Sequence, residues 1–418
     1  MERRPFMYCT RSITKEIVWV GASDRRLALF ENLFPIPRGV SYNSYVITDE
    51  KTALIDTVDA SVSRQFLENL LHTLCGRPLD YLIVNHMEPD HCACIGELML
   101  RFPDMKLVGN SKTFPMIAKF FGEVPDELKI LVKENDTLSL GTHTLRFFTA
   151  PMVHWPEVMV TYDEKEQMLF SADAFGSFGA LNGCLFDDEI CFEKDWLDDA
   201  RRYYANIVGK FGIPVQNALK KLSSLPIKTI CPLHGPVWRG DLSPILTKYD
   251  LWSRYEPEER AVALFYGSMY GSTENAVNIL AVKLAEEGIH NIAVYDVSAT
   301  HISTLISEIF RCSHLVFAAP TYNGGIYPAM RNLLDDMAAL GLKNRTAAVI
   351  ENGSWAPSCG RQLSEELNAL KDFRILDPVV TIHSSVGADS EHALSALAEQ
   401  LTASIKGVSV HPSAELIR

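Results

Sequence analysis

Residues 85–95 read NHMEPDHCACI, and this stretch decides the fold of the first half of the chain. It follows the apolar segment 81–84 (YLIV), a pattern that predicts a buried strand ending in a polar loop. The end of such a strand can direct several side chains into one cavity. A polar loop with chance histidines is the alternative interpretation. Four side chains able to bind a metal fall within six residues: His86, Glu88, Asp90 and His91.

The same placement recurs three times later in the chain, where a possible ligand follows an apolar strand-like segment. The segments are 151–156 (PMVHWP), 169–176 (LFSADAFG) and 229–236 (TICPLHGP). Repetition of this kind indicates one metal site assembled at one end of a sheet. The added candidate ligands are His154, Asp173 and His234.

These side chains can be divided into two ligand sets. The first set is His86, Glu88 and His154; the second is Asp90 and His234, with or without His91; Asp173 could bridge the two. Imidazole suits zinc, copper, iron or nickel, whereas carboxylates favour harder ions. Mixed ligands with open positions suit ferrous iron, and two ions about 3.5–4 Å apart could hold both atoms of a diatomic substrate.

The second half of the chain carries three loops that together suit a flavin. Residues 264–275 (LFYGSMYGSTEN) run from an apolar strand through Gly and hydroxyl residues into a helix, whose N-terminus can hold a phosphate. No Lys follows the glycine, so this is not a triphosphate-binding P-loop, and a monophosphate such as that of FMN fits. Residues 318–328 (AAPTYNGGIYP) and 351–360 (ENGSWAPSCG) follow two further strands and bring aromatic side chains that could stack on a ring. The candidate flavin contacts are Ser268, Met269, Tyr270, Gly271, Ser272, Thr273, Pro320, Thr321, Tyr322, Asn323, Gly324, Asn352, Gly353, Ser354 and Trp355.

The alternation of apolar segments predicts two α/β domains, 1–255 and 256–418, joined by a charged linker at 252–260. The first contains many strands, among them 27–33, 42–47 and 52–55, with helices such as 63–74 and 195–207. This pattern suggests two sheets sandwiched by helices. The second alternates five apolar strands with helices, which predicts a doubly wound parallel sheet of the flavodoxin kind.

Composition excludes several classes of protein. The chain has 418 residues and a net charge of −13 without basic clusters, which argues against a nucleic-acid partner. There is no run of about 18 apolar residues and no secretory signal at the N-terminus, so we expect a cytoplasmic protein without a membrane span. The nine cysteines include no C-x-x-C pair, which excludes a rubredoxin-like or zinc-ribbon module and predicts free thiols.

The pattern H-x-E-x-D-H at 86–91 resembles the H-x-H-x-D-H motif of metallo-β-lactamase-fold hydrolases, with Glu88 in place of a histidine. That replacement, together with PMVHWP, LFSADAFG and LHGP, is similar to the ligand segments of the flavodiiron proteins. The resemblance implies a metallo-β-lactamase-like αββα sandwich followed by a flavodoxin-like domain. It also implies a non-haem diiron centre held by all seven candidate ligands, with His91 either binding iron or supporting the ligands from outside. The third flavin loop differs from the common Gly-Trp-Ser-Gly-like run of that family.

The resemblance implies an oxidoreductase that reduces dioxygen to water, nitric oxide to nitrous oxide, or both, with electrons relayed by FMN. It also implies a head-to-tail homodimer or a dimer of such dimers. The external electron donor would be a rubredoxin-like protein or a reduced deazaflavin. Tyr203 and Trp155 could line the gas pocket, although core packing is the simpler expectation for both.

Two other functions compete with this interpretation. One is a zinc hydrolase of the metallo-β-lactamase fold fused to a flavodoxin domain, which the carboxylate of Glu88 disfavours. The other is a non-catalytic flavin module for electron transfer, which the complete set of candidate ligands disfavours. A metal site and a flavin site in one chain together favour electron transfer from flavin to metal.

Overall fold

The computed structural model describes residues 8–407, which fall into two compact units. The first unit runs to Tyr204 and resumes over Ile213–Leu246, and the second comprises Ala205–Gly212 and the chain from Thr247. The domain boundary at residue 255 stays a prediction. Residues 1–7, where we predict no secretory signal, lie outside the described part, as do residues 408–418.

The first sixteen strands belong to two large sheets and two small two-stranded ones. The strands are β1 (Arg11–Ser12), β2 (Ile17–Trp19), β3 (Ala22–Asp24), β4 (Leu29–Phe30), β5 (Phe34–Pro35), β6 (Val40–Tyr42), β7 (Tyr45–Thr48), β8 (Thr52–Ile55), β9 (Tyr81–Ile83), β10 (Lys106–Gly109), β11 (Lys129–Leu131), β12 (Thr137–Ser139), β13 (Thr144–Thr149), β14 (Met159–Asp163), β15 (Met168–Phe170) and β16 (Thr229–Cys231). The helices of this half are α1 (Ser63–Leu74), α2 (Pro89–Cys92), α3 (Ile95–Arg101), α4 (Thr113–Phe121), α5 (Phe192–Asp195), α6 (Leu197–Tyr203), α7 (Gly212–Leu222) and α8 (Ser243–Ser253).

The two large sheets form the inner layers of the predicted αββα sandwich. One has the order β1-β2-β7-β8-β9-β10-β11 and the other β12-β13-β14-β15-β16. Every residue of β8, β14 and β15 is buried, as expected for strands covered on both faces. Backbone hydrogen bonds connect the sheet layers, for example from Lys51 N to Leu140 O at 2.8 Å. The fold class predicted from the sequence is confirmed for this unit.

The second unit contains the predicted doubly wound sheet. Its elements are β17 (Glu259–Tyr266), α9 (Ser272–Glu286), β18 (Ile292–Asp296), α10 (Ile302–Arg311), β19 (Cys312–Tyr322), β20 (Gly325–Ile326), α11 (Pro328–Leu340), β21 (Arg345–Asn352), α12 (Cys359–Ala369), β22 (Phe373–Ile375), β23 (Val380–Ile382) and α13 (Ala388–Gly407). The main sheet has the order β18-β17-β19-β21-β22, β23 also pairs with β21, and all these pairs are parallel. This is the flavodoxin-like 2-1-3-4-5 order. Helices α9 and α13 pack their buried leucines against one face of the sheet.

Three predicted elements were wrong in detail. The strand predicted at 27–33 is the hairpin of β4 and β5, turning at Glu31 and Asn32, which both have positive φ. The strand predicted at 42–47 is interrupted at Asn43, whose side chain accepts a hydrogen bond from Trp19 and donates to the Pro232 carbonyl. The helix predicted at 195–207 is interrupted at Trp196, between α5 and α6, and continues after α6 as a π-helical turn.

Among residues 8–407, no helix is both long and apolar enough to cross a membrane. All nine cysteines are free, as the sequence predicts.

Candidate metal centre and flavin loops

The candidate metal ligands follow four strands of the first unit, namely β9, β13, β15 and β16. Strand β8 pairs parallel with β9 in one sheet, and β15 pairs parallel with β16 in the other, so the ends of each pair meet at one edge. His86 and Glu88 follow β9, as predicted. Asp90 and His91 do not lie in the predicted loop but in the short helix α2, which Pro89 begins. One helical turn therefore brings both side chains back into the buried site.

The first cluster contains His86, Glu88, His154 and Asp173, all buried. Glu88 Oε2 lies 3.2 Å from His86 Nε2 and 2.9 Å from His154 Nε2. Asp173 Oδ2 lies 3.2 Å and 3.1 Å from the same two nitrogens. Two imidazole nitrogens and two carboxylate oxygens thus converge on one point.

The second cluster contains Asp90, His91 and His234, also buried. The Nε2 atoms of His91 and His234 are 3.0 Å apart, and Asp90 Oδ2 lies 3.4 Å and 3.3 Å from them. Asp173 reaches this cluster with its other oxygen, since Oδ1 lies 3.1 Å from His91 Nε2 and 3.6 Å from His234 Nε2. The structure therefore brings all seven side chains together, with Asp173 between the two clusters.

The buried carboxylates of this site suit cations. Burial by itself raises the pKa of Asp173, but the neighbouring imidazoles of His91 and His86 outweigh burial and hold that pKa well below its usual range. Asp90 Oδ1 and Oδ2 and Asp173 Oδ1 are buried and accept no hydrogen bond from residues 8–407. Buried carboxylates without such donors are costly unless paired with positive charge or a metal. The donor set accordingly fits two metal ions.

Polar groups behind the ligands fix their orientation, and the sequence interpretation missed these groups. His86 donates its Nδ1 proton to Glu157 Oε1 at 2.8 Å, and His234 donates its Nδ1 proton to the Ser41 carbonyl at 2.7 Å. Each bond leaves Nε2 as the ring nitrogen that faces the site. Burial alone raises the pKa of Glu157, but the hydrogen bond from His86 holds it below its usual value. Glu157 lies three positions after His154, and an acidic residue so close to a candidate ligand was the signal from which it could have been predicted.

Asp56, at the end of β8, supports the ligand segment through its backbone. Its Oδ1 accepts hydrogen bonds from Asn85 N at 2.7 Å and His86 N at 3.2 Å. Burial raises the pKa of Asp56 to about 6, against the lowering effects of His91 and these bonds. Asp56 also follows an apolar strand, the same signal that identified the ligands, so it could have been found from the sequence.

Glu31, in the β4–β5 turn, also escaped the sequence interpretation. The residue as a whole is exposed, but its carboxyl lies near the carboxylate of Glu88. Partial burial of the carboxyl and its interaction with the Glu88 carboxylate raise the pKa of Glu31 to about 8. Glu31 thus lies where the first cluster meets solvent.

Aromatic rings surround the histidines. The ring centroids of Phe30, Tyr42 and Tyr203 lie 5.4, 5.6 and 5.4 Å from that of His234. Trp155 lies 5.3 Å from His86. Tyr203 and Trp155 therefore border the candidate metal site. Packing in the core was the simpler expectation for both residues.

The three flavin loops lie at the same edge of the second sheet, because β17, β19 and β21 are parallel neighbours. In the first loop, Gly271 has φ of 88° and donates its N–H to Ser268 Oγ at 3.1 Å, immediately before helix α9. The first N–H groups of a helix have no intrahelical partner and suit an anion. Gly267 has no room for a Cβ, which would lie 2.4 Å from the Tyr327 ring.

The second loop is a tight hairpin between β19 and β20. Asn323 and Gly324 both have positive φ, as a two-residue turn of this kind requires. Thr321 Oγ1 accepts hydrogen bonds from Ser358 N at 2.9 Å and Cys359 N at 3.2 Å. The second loop is thereby tied to the third.

Large apolar side chains in these loops are open to solvent. Tyr270 is 94% exposed, Trp355 91%, Met269 45% and Tyr322 42%. Exposed aromatic rings beside a helix N-terminus fit a planar ligand with a phosphate. The residues present are therefore compatible with FMN, and the stacking role of Trp355 stays a prediction.

Known proteins resemble this chain over most of its length. Residues 40–235 match the family model described as "ODP family beta lactamase". The nitric oxide reductase of Moorella thermoacetica is 33% identical over 374 residues, covering 89% of this chain and 92% of that protein.

Two solved structures share the fold over nearly all of both chains. Rubredoxin oxygen:oxidoreductase from Desulfovibrio gigas matches with a TM-score of 0.88 and 28% identity, covering 95% of this chain and 99% of that one. A mutant flavo di-iron protein from Thermotoga maritima matches with a TM-score of 0.86 and 26% identity, covering 96% and 99%. This chain therefore belongs to the flavodiiron protein family and is an oxidoreductase of that kind.

Proposed function

We propose that this protein reduces dioxygen to water, nitric oxide to nitrous oxide, or both, at two iron ions that receive electrons through FMN. The observation that carries the proposal is the position of Asp173. One of its oxygens lies 3.1–3.2 Å from the histidines of the first cluster, and the other lies 3.1–3.6 Å from those of the second. A carboxylate placed in this way can bridge two metal ions.

Within the proposal, each cluster would supply imidazole and carboxylate ligands to one ion. His86, Glu88 and His154 would hold the first ion, Asp90, His91 and His234 would hold the second, and Asp173 would contribute to both. We include His91 because its Nε2 atom converges on Asp173 and His234 as closely as the other imidazoles converge on their partners. When bound, two ferrous ions and a reduced FMN together supply the four electrons that convert dioxygen to two waters, or the two that couple two nitric oxide molecules.

The protein itself orients the ligands and restricts water. Glu157 and the Ser41 carbonyl keep the Nδ1 protons of two ligand histidines directed away from the site. Phe30 and Tyr203 present rings to His234, so the second ion is bordered by apolar surface. Glu31 brings a carboxyl to the solvent side of the first cluster. A small uncharged gas suits such a partly dry site.

The electron supply is also part of the proposal. The phosphate loop, residues 268–273, would hold the phosphate of FMN, and the second and third loops would hold its ring. The donor is an external rubredoxin-like protein or a reduced deazaflavin, and the protein acts in the cytoplasm as a head-to-tail homodimer or dimer of dimers. Two similar proteins support this choice of substrates and donor. One is the nitric oxide reductase of Moorella thermoacetica, and the other is the rubredoxin oxygen:oxidoreductase of Desulfovibrio gigas.

The test is anaerobic stopped-flow oxidation of the fully reduced, iron-loaded protein by each gas in turn, with metal analysis of the same samples. We expect two irons per chain and rapid oxidation by at least one gas. Asp173→Asn should lower both iron content and oxidation rate by more than about tenfold, because one of the two bridging oxygens and the negative charge are lost. The matched control is Asp104→Asn, an exposed aspartate of the same unit. Unchanged oxidation in Asp173→Asn, or zinc in place of iron, would contradict the proposal, and zinc would favour the hydrolase.

A further inference from the structure

Asn352, the last residue of β21, connects three loops at the flavin edge. The residue is 6% exposed. Its Nδ2 group donates to Thr273 Oγ1 at 3.4 Å and to the Ser384 carbonyl at 3.2 Å, while its Oδ1 accepts from Ser384 N at 3.1 Å. Because a side-chain amide has only two donors, both are used within the protein. The side chain of Asn352 therefore has no free donor for the ring edge of a flavin.

The partner of Asn352 lies in a fourth loop, which follows β23. Ser384 has φ of 67°, a left-handed conformation that the two bonds to Asn352 stabilise. Its Oγ donates to Ser354 Oγ at 2.8 Å, and Gly353 N donates to Ile382 O at 3.0 Å. These hydrogen bonds connect the fourth loop to the third. The backbone N–H and carbonyl of Ser384 fix the orientation of the Asn352 side chain.

Thr273 receives the remaining bond. It is 2% exposed and is the second residue of α9, at the helix end proposed to hold the phosphate. A hydroxyl has one proton and two acceptor sites. Because Asn352 donates to Thr273 Oγ1, the hydroxyl proton cannot point at the amide nitrogen and is available to an acceptor elsewhere. A phosphate oxygen at the N-terminus of α9 is an acceptor of the required kind.

We propose that Asn352, backed by Ser384, is a positioning residue that turns the Thr273 hydroxyl toward the phosphate of the flavin. The inference rests on the proposed binding of FMN and deepens it. It assigns Asn352 an effect on the phosphate end of the ligand, although Asn352 lies in the loop expected to serve the ring. It also adds the loop after β23 to the three loops recognised from the sequence.

The test compares two flavins in the full chain depleted of flavin. Riboflavin has the ring and the ribityl chain of FMN but no phosphate, and dissociation constants for both follow from quenching of flavin fluorescence. Asn352→Ala should weaken FMN binding about tenfold and riboflavin binding less than twofold, since one charge-assisted hydrogen bond loses its geometry. Asn352→Asp should weaken FMN binding further, by about 100-fold, because a carboxylate accepts the Thr273 proton and repels the phosphate.

Two further variants keep the test independent of the folding of the Asn352 variants. Thr273→Val should weaken FMN binding selectively, and Thr273→Ser should retain it, because serine keeps the hydroxyl. Thr273→Val added to Asn352→Ala should cause no further loss. Asn368→Asp, which introduces the same charge at an exposed position of α12, is the control and should bind both flavins normally.

The outcomes separate this inference from the proposed function. If the unaltered chain bound FMN no more tightly than riboflavin, the phosphate site and the FMN assignment would both fail. If the unaltered chain preferred FMN, but Asn352→Ala lost both flavins equally, only the positioning role would be overturned. Fully additive effects of the Thr273 and Asn352 changes would overturn it as well.

Discussion

At the scale of single residues, the geometry of the candidate metal site depends on side chains outside the set of candidate ligands. Glu157 lies 71 residues from His86 in sequence, yet it accepts the proton that defines which imidazole nitrogen faces the site. It also accepts a hydrogen bond from Met87 N at 2.9 Å, so it holds both the ring and the backbone of the ligand segment. Such partners commonly change metal affinity about 10–100-fold when removed.

Glu157→Gln is expected to lower iron affinity by about tenfold or more, because an amide is uncharged and a weaker acceptor for the imidazole proton. The measurement is iron retention during titration with a chelator. Glu127→Gln, an exposed position of the same unit, serves as the control and should retain iron normally. Equal iron retention in the two variants would show that Glu157 does not set the orientation of His86.

At the scale of elements, the central strand β19 of the second unit carries a buried histidine. His314 on β19 is 1% exposed and lies 2.9 Å from Ser404 Oγ on α13 and 2.8 Å from Ser313 Oγ. Burial, with a smaller contribution from the charge of Arg374, lowers the pKa of His314 to about 4. The strand and the helix therefore pack around a neutral imidazole.

This lowered pKa makes the stability of the unit depend on pH. Between pH 6.5 and 4 the unfolded chain binds a proton at His314 that the folded chain does not, so acidification favours unfolding, whereas above pH 6.5 the group has no effect. From pH 7 to pH 5 we expect a loss of about 2 kcal/mol of unfolding free energy from this residue. Urea unfolding at both pH values, at fixed FMN concentration, should show a smaller loss in His314→Gln. Equal losses in both proteins would contradict this account.

At the scale of the whole molecule, each proposed site is made of residues from one compact unit. All seven candidate metal ligands belong to the first unit, and all fifteen candidate flavin contacts belong to the second. A ligand that binds only the folded state stabilises the unit that holds it.

Calorimetry of the full chain should therefore show two transitions that respond to different ligands. FMN at about 100 times its dissociation constant should stabilise the second unit by about 2.7 kcal/mol, and ferrous iron should raise only the transition of the first. Asp173→Asn should abolish the response to iron and leave the response to FMN unchanged. A single transition that rises with either ligand would show that the two units unfold together.

The accuracy of the sequence interpretation differed between local and long-range features. Strand β8 and helix α1 were predicted with the bounds that the structure shows, because each is a continuous apolar or amphipathic run between polar residues. The predicted strand at 27–33 failed because the turn at Glu31 and Asn32 depends on backbone conformation that the apolar pattern does not encode. Asp56 was within reach of the same reasoning that identified the metal ligands, whereas the Ser41 carbonyl has no side-chain signal at all.

The amino-acid sequence alone determined the order of the two α/β halves, the identity of the seven converging side chains and the three flavin loops, since spacing and strand ends are local properties of a chain. Only the tertiary structure decided how Asp173 divides its oxygens between two clusters and how His234 is oriented by a carbonyl 193 residues away. It also decided that the side-chain amide of Asn352 donates hydrogen bonds to Thr273 and Ser384. These contacts join segments far apart in sequence, and their geometry arises from packing the sheets, which no local pattern specifies.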